Sequence, residues 1–161
     1  MNKINVEGGW TNEAIEIGLW YANKEHEREP ITQVILIGDA PPNNLDEVQM
    51  KRDQFGKKYW KETRFREPTY YATELDKLIE NGIPVHAFYV ETRAKDKFEE
   101  IARKTQGKCE SLDINSSIGG DMLADLVTEQ ILNNVGGAAI GQELVNAYRK
   151  KFPQSYTSTC E

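Results

Sequence analysis

The chain has 161 residues, enough for one compact domain with a sizeable core and too few for two ordinary ones. No window approaches the roughly 20 consecutive apolar residues needed to span a bilayer, so membrane insertion is not expected. A formal charge of −6 argues against general attraction to nucleic acid or to an anionic membrane. The first nine residues lack the apolar core of a secretory signal. Two cysteines, Cys109 and Cys160, do not indicate a disulfide framework. A reduced, cytoplasmic protein is the expectation, and a piece of a larger secreted protein would present the same sequence features.

In chain order, residues 4–6 are a short extended candidate. Residues 11–24 carry Ile15, Leu19 and Ala22 at helical spacing, with Thr11 as the expected N-cap. The unbroken apolar run Val34, Ile35, Leu36, Ile37 enters Gly38-Asp39-Ala40-Pro41-Pro42, which must end it. Such a run suits a strand covered on both faces. Residues 43–68 are polar and rich in aromatics. Residues 70–81 predict a helix with Tyr71, Leu75, Leu78 and Ile79 on one side and Gly82 as its stop. Residues 84–90 predict a second buried strand, and residues 95–105 a helix with Phe98, Ile101 and Ala102 inward. A short strand over 109–114 follows, then a helix over 122–134. After Gly136-Gly137 a last helix covers 140–152, and residues 153–161 are a polar tail. Strands separated by helices imply a mostly parallel sheet with helices on both faces, and ligands of such sheets gather at the carboxyl ends of the strands.

Two segments carry a family resemblance. Gly8-Gly9-Trp10-Thr11-Asn12 runs into an amphipathic helix, and an apolar strand ends in Gly38-Asp39. In that order, followed by helix, strand, helix, short strand and a Gly-Gly-Asp turn, they resemble the von Willebrand factor A-type (VWA) domain over roughly residues 4–135. The resemblance implies an α/β, Rossmann-like three-layer sandwich, N-terminally incomplete, spanning residues 1–152 with 43–68 as an insertion on its rim. It also implies a metal-ion-dependent adhesion site in which Thr11 and Asp39 are ligands. Hydroxyl and carboxylate oxygens suit Mg²⁺, which keeps positions open for water or a partner carboxylate. The family's Asp-x-Ser-x-Ser loop does not occur before Gly8, and there is no room for the first two strands and first helix. The expectation is therefore a truncated product, or a sheet completed by another chain. Asp113-Ile114-Asn115-Ser116-Ser117 partly imitates the loop but follows the last strand, so it is read as a strand end and helix cap.

The basic stretch 51–66 interleaves lysines and arginines with aromatics. Lys57, Lys58, Trp60, Lys61 and Arg64 are its partner-binding candidates. The competing reading is a solvated helix with a few aromatics packed on the body. His86 inside an apolar strand and His26 in a charged run have no nucleophile or second ligand at telling spacing. Cys109 is read as a buried small hydrophobe, and the Gly-Gly pairs as turns. The sequence thus predicts a protein-interaction module rather than an enzyme. Its alternative is a metal-free structural subunit of a larger assembly; an enzyme on a Rossmann-like sheet is the weakest reading.

Overall fold

The computed structural model describes residues 11–116 and 119–153. The extended candidate at 4–6 and the polar tail lie outside them, apart from Pro153. Among the described residues five helices and three strands follow one another: α1 (Ile15–Arg28), β1 (Val34–Gly38), α2 (Leu45–Lys61), α3 (Tyr71–Glu80), β2 (Val85–Tyr89), α4 (Thr92–Lys104), β3 (Cys109–Ser111) and α5 (Gly119–Lys151). The strands form one parallel sheet in the order β1-β2-β3.

Alternation along β2 sorts the core into two clusters, because successive side chains of a strand point to opposite faces. Val85 and Ala87 join Ile15 and Leu19 of α1, Leu75 and Leu78 of α3, and Phe98 and Ile101 of α4. Phe88 points the other way, where Leu112, Ile35, Leu123 and Leu126 close over it, the last two from α5. Within the described residues the predicted helices and strands occur in the predicted order, with helices packed through both clusters.

Three local expectations are corrected. Thr11 does not cap α1, which starts at Ile15 with Ala14 before it and no side-chain cap. The intervening residues are held elsewhere. Glu13 pairs in parallel with Pro42 through Glu13 N–H to Pro41 O (2.9 Å) and Asn43 N–H to Glu13 O (3.0 Å), so the backbone there is extended. Second, β1 stands at the edge of the described sheet rather than inside it, and Ile37 is 44 % exposed. Third, the third strand is shorter than predicted, ending at Ser111.

In the aromatic-rich stretch, α2 begins with a complete capping box. Asn44 accepts from Glu47 N–H at 2.9 Å, and Glu47 Oε2 accepts from Asn44 N–H at 2.8 Å. The helix is broken at Gly56, whose φ of 74° is open to glycine and strained for other residues. A similar break at Gly137 divides α5 where the sequence placed a turn between two helices.

Phe98 is fully buried under the sheet and abuts Gly38. Phe98→Ala is expected to cost about 3–5 kcal/mol, from lost burial plus the cavity left behind. Urea denaturation monitored by circular dichroism measures it.

Candidate functional site

The carboxyl end of β1 delivers Asp39, and Arg93 from the first turn of α4 meets it there. Arg93 Nη2 donates to Asp39 Oδ2 (3.1 Å) and Nε to Asp39 O (3.0 Å), while Nη1 donates to the backbone carbonyl of Thr11 (3.1 Å). The two residues singled out as metal ligands are therefore brought to one place, and a guanidinium links them. What Thr11 presents to Arg93 is its carbonyl. The Asp39 carboxylate is engaged in an ion pair, and a fixed cation beside it repels a second one. Mg²⁺ wants near-octahedral oxygen coordination. As placed, Thr11 and Asp39 do not fit it. Among the described residues no group of three or more His, Cys, Asp or Glu side chains converges to hold a metal.

A second concave region lies on α2 and the irregular return over residues 62–70 that follows it. Arg52 organises it, donating from Nη1 to Phe65 O (3.0 Å) and from Nη2 to Arg66 O. Its guanidinium also sits over the Trp60 ring, 4.7 Å from the centroid, while Trp60 Nε1–H donates to Arg52 O at 2.9 Å. The return is thereby folded back on the helix, leaving an open cleft of about 740 Å³. Lys57, Trp60, Lys61 and Arg66 line it together with Asp53 and Glu67. Of the predicted partner-binding residues, Lys57, Trp60 and Lys61 meet in this cleft. Lys58 is exposed on the same turn without lining it, and Arg64 instead lies over the Tyr21 ring, 5.9 Å from its centroid.

The charge in this region is not neutralised. Lys24, Arg28, Lys77, Lys95, Lys97, Lys104 and Arg149 each have a carboxylate within 4.0 Å. Among the described residues the side chains of Lys57, Lys58, Lys61 and Arg66 make neither a hydrogen bond nor an ion pair, as is also true of Arg103, Lys108 and Lys150 outside this region. Apolar surface accompanies them: Phe55 is 52 % and Tyr59 49 % exposed, with ring centroids 5.1 Å apart.

Behind the cleft, and sharing Arg52 and Trp60 with it, is a narrower slot of about 160 Å³ between α1 and α2. Phe55, Trp60 and Phe65 contribute rings, Val48 an aliphatic wall, and Glu16 a carboxyl group. Glu16 is only 5 % exposed. Its Oε1 accepts from Asn43 Nδ2 at 3.0 Å, while its Oε2 is buried with no hydrogen-bond partner among the described residues. Asn43 is positioned in turn by Lys51 Nζ, which donates to its Oδ1 at 2.6 Å. Burial pushes the Glu16 carboxyl above its ordinary value, and the Asn43 hydrogen bond opposes that rise.

Sequence reasoning missed Glu16, Arg52 and Arg93. Each sits at a helical position with the look of surface charge, and its role comes from residues far away in the chain. The remaining candidates lie apart from these two regions. His86 Nδ1 accepts from Lys108 N–H at 3.2 Å, and burial lowers its pKa. Burial, with Glu99 and Glu110 nearby, raises the Cys109 thiol to about 11, which leaves it unreactive. Asp113 Oδ1 accepts from Asn115 N–H (2.9 Å) and Ser116 N–H (3.2 Å), which closes a turn. No family model, curated protein or solved structure matches this chain.

A carboxyl whose pKa is raised by folding contributes stability below its unfolded value of 4.5, and that contribution is lost as pH rises through the folded value. Glu16→Gln is therefore expected to melt a few degrees higher than the unsubstituted protein at neutral pH. The advantage should shrink as pH falls from the raised folded value toward 4.5 and be absent below it. Thermal melts across that range measure it.

Proposed function

We propose that this chain is a protein-interaction module of VWA type, built as a Rossmann-like three-layer sandwich, and that it binds an acidic partner on the rim formed by α2 and the return after it. One observation carries the reading: the unneutralised cations Lys57, Lys58, Lys61 and Arg66, set beside exposed aromatic rings in a chain whose net charge is −6. In such a chain, cations held next to apolar surface without intramolecular partners favour docking of an oppositely charged segment. The reading does not depend on Mg²⁺, since Asp39 is already paired with Arg93. Poly-L-glutamate is expected to bind, with an affinity that falls as salt is raised. Reversing Lys57, Lys58 and Lys61 to Glu is expected to weaken it about ten-fold or more, at up to about 1 kcal/mol for each exposed pair lost. Isothermal calorimetry reads both effects. Equal affinity in the reversed variant would remove the rim from the account.

A second reading rests on β1. Its one described neighbour is β2, and its four leading residues are apolar with no charge or proline to blunt the edge. That favours a metal-free structural subunit whose sheet another chain extends. In this case Ile37→Lys, which puts a charge on the exposed edge residue, is expected to raise the solubility of the isolated chain without lowering its melting temperature. Unchanged solubility counts against this reading.

A further inference from the structure

We infer that β1 is the centre of a twofold dimer, in which it pairs antiparallel with β1 of a second copy of this chain. This rests on the second reading above and names the chain that extends the sheet. The backbone supplies the first argument. Val34 N–H donates to Pro84 O and Val90 N–H to Gly38 O, both at 2.9 Å, so the even-numbered residues of β1 turn their polar groups toward β2. That direction alternates along a strand. Ile35 and Ile37 therefore turn theirs outward, where no described strand meets them. Antiparallel strands exchange both hydrogen bonds between directly opposed residues of one parity. With the axis at Leu36, Ile35 lies opposite Ile37 of the second copy, and Ile37 opposite its Ile35. One operation thus matches every outward group of the two strands, as a self-complementary patch requires.

Side chains supply the second argument. Ile35 and Ile37 share a face of the sheet, the one on which Ile35 packs against Phe88 and α5. At the start of β1, Asn134 of α5 anchors that helix, its Nδ2 donating to Thr32 O (3.0 Å) and Gln33 Oε1 (3.2 Å). Ile37, at the other end of the strand, is left 44 % exposed. A matching exposure lies on α5, where Ile131 is 45 % exposed about one turn before Asn134. Glu129, two residues earlier and so on the opposite flank of the helix, holds Arg149, and both charges reach Glu110 of β3. Ile131 is thereby placed on the β1 side. The axis carries the start of one β1 to the end of the other, which brings Ile131 of each copy to Ile37 of its mate.

Charge is the third argument. The chain carries −6, so most pairs of like surfaces on it repel. β1 itself holds no charge. Asp39, which follows it, is paired with Arg93, and in this register it meets the neutral Gln33 of the second copy. Pairing β1 head to tail with the β3 edge would instead offer three residues, one of them Glu110.

The experiment uses the full chain. Sedimentation equilibrium is expected to give twice the chain mass at high concentration and a monomer on dilution. Amide hydrogen exchange followed by NMR is expected to show protection of Ile35 and Ile37 that fades with dilution. Val34, bonded to Pro84 in either state, stays protected. Ile37→Lys and Ile131→Glu, both at exposed positions, are each expected to weaken the dimer about 100-fold or more, since the axis counts every change twice. The double variant is expected to regain most of that loss, because each lysine then faces a glutamate. The exchange series is read on the unsubstituted chain, so a misfolded variant does not block the test. A dimer whose Ile35 and Ile37 amides exchange at one rate at every dilution would overturn the pairing through β1. Protection of those amides in a monomer would also overturn it, since the edge would then be covered from within the chain. A monomer whose solubility still rises with Ile37→Lys would sink the second copy and leave the extended sheet standing, with a different chain as its extender. A monomer whose solubility is unchanged would remove both.

Discussion

The structure hangs on the two-sided burial of β2. Val85 to Phe88 are buried in succession, and the strand is the one described element paired along both edges. A five-residue strand cannot bury apolar side chains on both faces unless helices cover each, and α4 and α5 do so from opposite sides through Phe98 and Leu126. Everything useful in the molecule is attached to this frame at one remove. The carboxyl end of β1 is set by its register with β2, Gly38 opposite Tyr89, and α4 leaves β2 so that Arg93 arrives beside Asp39.

The rim obeys a different logic from the frame. Several other cations of this acidic chain are matched along helices, as in α4, where Lys104 and Lys97 both reach Glu100 and hold its carboxyl down at about 2. On α2 the one arginine, Arg52, donates to carbonyls of the return, and the side chains of Lys57, Lys58 and Lys61 project without a carboxylate partner among the described residues. Local pairing stabilises a helix by tenths of a kcal/mol, about 0.2–0.5 per pair, so forgoing it is a small sacrifice.

Much of the frame was legible in the residues because it depends on periodicity. Leu75 and Leu78, Phe98 and Ile101, and the run from Val34 to Ile37 announce their elements by spacing alone, and Gly137 marks a break in the last helix. Less legible was whatever depends on distant contacts. The extended backbone at Glu13 is imposed by Pro41 and Asn43, which overrides the capping preference of Thr11. Glu16 occupies a helical position that periodicity assigns to no particular face, and it is buried because α2 folds over α1. The grouping of Lys57, Trp60 and Lys61 was visible in the sequence. The cleft they line was not, because Arg52 and a left-handed glycine at position 56 shape it.

One carboxylate ties these levels together. Glu47 completes the capping box of α2 and at the same time accepts both contacts of the Asn12 amide, at 3.0 and 2.9 Å. The opening turn of one helix and the segment leading into another thus share a single anion, and neither can fray without loosening the other. Double-mutant cycles between Asn12 and Asn44 would then be non-additive, though the two side chains bond to different atoms. Since α1 and α2 are also the two sides of the ring-lined slot, Glu47 braces its walls without lining it.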